Sequence, residues 1–209
     1  MNDLSLHAAR LRTLPPSCGP VRLIGVDGHA GSGKSTLAAR LAAVLDDAPV
    51  LHLDDLATHE VFFDWTDRLR EQVLGPLSHG APARYEPYDW TARSFGPPRV
   101  LEPAPVVLVE GVGAGRRALR PLLAHLLWMD LPAAESWERG RRRDGPALTA
   151  FWDDWTAAEM AHFSADPSRP SADVLVRQLP AGYEWLKGSG ATAGVNHSVT
   201  HRDHFAPPY

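Results

Sequence analysis

Lysine is nearly missing from this chain. Lys34 and Lys187 are the only two among 209 residues, and arginine supplies the other positive charges. A lysine set among glycines in such a sequence is therefore not surface decoration. Cysteine is scarcer still, and the lone Cys18 excludes a disulfide framework within the chain. No stretch approaches the roughly 20 apolar residues of a membrane span. The formal charge is −4, and nothing suggests a basic surface for nucleic acid or membrane. The first residues, M-N-D-L-S-L-H, lack a basic segment followed by an apolar one, so no secretion signal is expected. A soluble cytoplasmic protein is the expectation, and a hydrophobic content of 44% is ample for a core.

What is present centres on residues 21–36, V-R-L-I-G-V-D-G-H-A-G-S-G-K-S-T. An apolar run enters a glycine-rich turn, which enters a helical pattern. Gly28 to Ser35 fits the phosphate-loop pattern G-x-x-x-x-G-K-[ST] in its strand-to-helix context. Gly28, Gly31 and Gly33 let the backbone curl so that successive N–H groups face phosphate oxygens, with His29, Ala30 and Ser32 between them. The start of the following helix, through Thr36, adds its positive end. Lys34 is placed to reach the β- and γ-phosphates, and the Ser35 hydroxyl to ligate Mg²⁺. ATP and Mg²⁺ are the implied cosubstrate and cofactor.

Along the chain, Leu4, Ala8, Leu11 and Leu14 predict an N-terminal amphipathic helix, ended by Pro15-Pro16. Short apolar strands are expected at 21–26, 50–53, 105–109, 126–129 and 173–177. Helices are expected at 34–45, 64–78, 116–125, 132–143 and 147–163. Residues 80–105 read as a long irregular segment, which in a compact domain is more often functional than idle. The alternation predicts an α/β phosphate-loop NTPase fold: a five-stranded, mostly parallel sheet covered on both faces, with a helical arginine-bearing lid near 139–146. The expected organisation is an N-terminal helix and linker over 1–20, the main domain over 21–180 and a mobile tail over 181–209.

In such sheets the ligand lies beyond the carboxyl ends of the strands. Asp54 and Asp55 close the second strand, and one carboxylate there could take the proton of an attacking hydroxyl, or merely cap a turn. Which of the two faces the loop stays open. Glu110 closes the third strand, where a single carboxylate suffices to organise Mg²⁺. Arg139, Arg141, Arg142 and Arg143 end a helix. They suit its dipole, or they form a lid that neutralises a moving phosphoryl group, with Arg139 and Arg143 sharing a face. Trp152, Trp155, Phe151 and Phe163 read as packing groups, and His197, His201 and His204 as tail residues rather than a metal site.

V-D-G-H-A-G-S-G-K-S-T, L-H-L-D-D-L, R-Y-E-P-Y-D-W, V-V-L-V-E-G-V, R-R-R-D-G and S-A-D-V-L-V, in this order, resemble the uridine kinase and phosphoribulokinase family over about residues 20 to 178. The resemblance implies that Asp54 is the catalytic aspartate, that Tyr88, in Tyr88-Asp89-Trp90, contacts a nucleoside, and that Asp64 contacts ribose hydroxyls. Arg139 and Arg143 fall at lid positions. The chain departs from the family at Leu56, where an aromatic is usual, at Arg93, where uridine kinases carry histidine, and at Gly145-Pro146, which cut the lid short. An arginine at 93 suits an anionic acceptor.

The implied activity is ATP- and Mg²⁺-dependent phosphorylation of a small-molecule hydroxyl, first of all the 5′-hydroxyl of uridine or cytidine. A related kinase for a sugar, a sugar phosphate or a vitamin precursor is the alternative. A nucleotide-dependent switch is a third reading, opposed by the lack of an N-K-x-D guanine-reading motif. A small-molecule substrate is the expected partner, with a homo-oligomer left open.

Overall fold

The computed structural model describes residues 3–192, so the three tail histidines lie outside the described residues. Helix α1 (Asp3–Thr13) precedes β1 (Arg22–Asp27), the phosphate loop and α2 (Lys34–Val44); β2 (Val50–His52) follows. Residues 66–78 form α3, and β3 (Ala83–Tyr85), β4 (Tyr88–Asp89), β5 (Ser94–Phe95) and β6 (Arg99–Leu101) occupy the irregular segment. Then come β7 (Val106–Glu110), β8 (His125–Met129), α4 (Ala133–Asp144), α5 (Thr149–Ala165), β9 (Val174–Leu179) and β10 (Gly182–Lys187).

The central sheet has the order β10-β9-β8-β1-β7-β2, parallel except for β10 against β9. Six strands replace the expected five. The extra one is β10, which turns residues expected in the tail into an antiparallel edge strand that buries Tyr183. Along the buried strands, successive side chains serve opposite cores. Leu23, Val107 and Val109 pack towards α3, whereas Ile24, Val26 and Leu108 pack towards α1 and α2.

The expected helix over 116–125 is absent. Pro121 cannot donate to a helical ladder, and only the 3₁₀ turn Arg120–Leu122 forms there. Helix α3 is widened to a π segment over Arg70–Leu74, just before Pro76, and the Gly75 N–H reaches back to the Arg70 carbonyl. The segment 80–105 is less irregular than expected, since β3 pairs with β6 and β4 with β5. No helix among the described residues is long and apolar enough to cross a membrane.

Candidate functional site

The carboxyl ends of β1, β2 and β7 open into a cavity of about 530 Å³. Gly31, Gly33, Lys34, Ser35 and Thr36 line it from the loop, Asp54 and Glu110 from the neighbouring strand ends, and Arg139, Arg142 and Arg143 from α4. Residues far apart in sequence thus meet because three parallel strands end on one rim.

The loop is held by groups with no part in the sequence motif beyond adjacency. Asp27 is fully buried. Its Oδ1 accepts from the N–H groups of Gly28 (2.7 Å) and Gly113 (2.9 Å), and its Oδ2 from that of Gly115 (2.8 Å). One carboxylate therefore joins the start of the loop to the turn after β7. Gly28, Gly31 and Gly33 have φ of +145°, +84° and +102°, which side chains resist. Gly31 also allows α4 to press close, for a Cβ there would lie 2.0 Å from the Ser136 carbonyl oxygen. Lys34 Nζ donates to the carbonyl oxygens of Gly28 (2.9 Å) and His29 (3.0 Å).

Ser35 Oγ donates to Glu110 Oε1 at 3.0 Å, and the same oxygen lies 2.5 Å from His52 Nδ1. Burial pushes the Glu110 carboxyl up, but the bond from His52 and the charge of Lys34 overcome it, and the net direction is down. His52 is raised in turn, chiefly by the bond to Glu110. The oxygen pair of Ser35 and Glu110 fits Mg²⁺, a hard cation that takes one or two protein oxygens beside phosphate and water. The buried Ser32 hydroxyl has no hydrogen-bond partner, as suits a loop shaped for phosphate oxygens.

The two aspartates part ways. Asp55 Oδ2 accepts from the Tyr85 hydroxyl and from Arg99 Nη1, both at 3.3 Å, whereas Asp54 lines the cavity. By surface area Asp54 is exposed, yet it stands inside the cavity with dense protein around its carboxyl. That crowding, helped by Glu110 and opposed by Lys34 and His52, pushes its carboxyl up to about 6.

Arg139 Nη2 donates to Gln178 Oε1 at 3.2 Å, and Arg143 forms a two-pronged pair with Asp144 at 2.6 and 2.9 Å. Arg142 joins them on the cavity although the residue spacing favoured only the other two. Gly140 lets the helix lie flat against α5, for a Cβ there would meet the Trp152 ring at 2.1 Å.

Beyond Asp54 the site turns aromatic. Phe62, Phe63, Trp90 and Phe151 pack around buried Trp152, Trp155 and Val112, with Trp90 stacked on Phe62 at 6.2 Å and 20°. Trp155 reaches the cavity, and Trp90 Nε1 donates to the Asp54 carbonyl at 3.1 Å. Tyr88 is buried beside this wall, its hydroxyl 3.0 Å from His59 Nδ1. Asp64 is exposed next to Phe63. Asp89 Oδ1 accepts from the N–H groups of Thr91 and Ala92, both at 2.8 Å, and so shapes the turn. Arg93 sits in that turn with φ +54°, exposed, 4.0 Å from Glu60, and neither residue lines the cavity.

Sequence reasoning missed Asp27, His52 and Glu159. Asp27 directly precedes Gly28 and was visible there. Glu159 follows Trp155 by one helical turn, a spacing that puts both on one face. For His52 no sequence signal stands out.

No protein-family model matches the chain, and no curated protein matches its sequence. Solved structures do. A possible uridine kinase from Bacillus stearothermophilus matches 82% of this chain and 96% of its own, with TM-score 0.58 and 18% identity. A candidate fructose transport system kinase from Silicibacter sp. TM1040 matches 78% of this chain and 89% of its own, with TM-score 0.56 and 22% identity. The chain shares the α/β fold of these two proteins.

Proposed function

We propose that this chain transfers the γ-phosphoryl group of Mg·ATP to the 5′-hydroxyl of uridine or cytidine. The observation that carries the reading is the convergence of Lys34, Ser35, Glu110, Asp54 and three arginines on one cavity. Lys34 and the loop N–H groups hold the phosphates. Mg²⁺, with Ser35 and Glu110 as its protein oxygens, would neutralise charge on the phosphates. Asp54 accepts the hydroxyl proton as the acceptor oxygen bonds to the γ-phosphorus, and the bond from that phosphorus to the bridging oxygen breaks to release ADP. Arg139, Arg142 and Arg143 stabilise the charge spread over the transferring group.

The aromatic cluster that reaches the cavity through Trp155 supports a planar acceptor. Trp155 offers flat apolar surface on the cavity with Phe62 and Trp90 packed against it, Trp90 donates to the Asp54 carbonyl, and Arg93 does not line the cavity. Tyr88 and Asp64 are the acceptor contacts to test first, with Asp89 and Arg93 shaping the adjoining turn. The kinase domain is drawn from residue 21 through β10.

The test is ADP release from Mg·ATP with uridine, cytidine, fructose, pantothenate, ribulose 5-phosphate or no acceptor. Stimulation by uridine or cytidine supports the reading. Stimulation by another acceptor alone keeps the mechanism and discards the nucleoside, and acceptor-independent ATP consumption favours a nucleotide switch.

A further inference from the structure

Glu159 lies in the middle of α5, fully buried, and does not line the cavity. Both of its oxygens are nevertheless engaged by the elements that build the site. Oε1 accepts from His29 Nδ1 (2.7 Å) and Trp137 Nε1 (2.9 Å), and Oε2 accepts from the Ala30 N–H (3.1 Å) and Trp155 Nε1 (2.8 Å). A carboxylate is kept away from water only where donors replace its hydration. Here two donors come from the phosphate loop, one from α4 and one from α5 itself. The chain of contacts continues inward. The carbonyl oxygens of Gly28 and His29, in the turn that Glu159 grips, are the ones that receive Lys34 Nζ.

We propose that Glu159 is a positioning residue for Lys34. It braces His29 and Ala30 against Trp137 and Trp155, and thereby fixes where the loop carbonyls aim the lysine. The proposal rests on the phosphate-loop reading above. A glutamine at 159 keeps the shape but turns an NH₂ group towards N–H donors, so at least one donor must leave its place. The loop's first turn then relaxes, and Lys34 loses its fixed direction although no residue that lines the cavity has been replaced.

The experiment is a double-mutant cycle read by binding, not turnover. The affinity of the ATP analogue with an imido β–γ bridge is measured for wild type, Glu159→Gln, Lys34→Ala and the double variant. Glu159→Gln is expected to weaken binding about tenfold in the wild-type background and less than about threefold in the Lys34→Ala background. Equal losses in both backgrounds, or no loss in either, overturn the proposal, because a merely structural defect adds independently of Lys34. Should Glu159→Gln not fold, His29→Ala replaces it in the same cycle with the same two expectations. A wild-type protein that does not bind the analogue removes the phosphate-loop reading itself, a failure distinct from an additive cycle.

Discussion

The two sides of the cavity are built on different principles. The phosphate side is one contiguous stretch of backbone, pinned by buried carboxylates at Asp27 and Glu159 and by close contacts at Gly31. The aromatic cluster that reaches the cavity through Trp155, proposed here as the acceptor side, is assembled from rings on three segments, around residues 59–63, 88–95 and 151–155, that touch mainly one another. Hydrogen bonds to fixed backbone are directional and tolerate little change, whereas ring packing is adjustable. On the proposed reading, the first side is suited to phosphoryl transfer and the second to a choice of acceptor.

The largest expected effect separates chemistry from binding. Asp54→Asn should lower turnover with uridine by about three orders of magnitude while nucleotide affinity changes little, measured by kcat and by equilibrium binding. The same variant should be slightly more stable at pH 7. A carboxyl held at about 6 in the folded state, above its unfolded value, is penalised as it ionises, so the penalty sets in between about pH 4 and 6 and is complete above that. Solvent in the cavity screens it, and ~1 kcal/mol of thermal stabilisation is the expected gain.

Next comes the acceptor wall. Trp90→Ala should raise KM for uridine by about tenfold or more and leave KM for ATP nearly unchanged. Equal rises for both substrates would erase the distinction between the two sides. A pH profile sharpens it further, because a base with a pKa of about 6 should make kcat/KM rise with pH and level off above that value. The smallest effect concerns the turn. Asp89→Ala removes the acceptor of two backbone N–H groups and should cost ~1 kcal/mol in a denaturation experiment, with only a minor change in KM.

The same contrast explains what could be read without coordinates. The phosphate loop, Glu110 and the run of buried strands were legible because each is local: a motif, a strand end, an apolar stretch. Strand β10 was not, because only Tyr183 and Trp185 around Glu184 show a period of two, apolar Leu186 breaks it, and a glycine-rich sequence follows at once. The helix expected over 116–125 fails at Pro121, which leaves only the turn Arg120–Leu122. The choice between Asp54 and Asp55 depended on the 3₁₀ turn that follows β2, which turns Asp55 towards Tyr85 and Arg99. Glu159 was legible only as the helical neighbour of Trp155, because its other three donors come from α4 and from a loop more than 100 residues away.

The most direct test of the account is to follow the label from γ-³²P-ATP in the presence of Mg²⁺ and uridine. The account predicts labelled uridine 5′-monophosphate from the wild type and almost none from Asp54→Asn. Label appearing only as inorganic phosphate, at a rate indifferent to uridine and to Asp54, would contradict it.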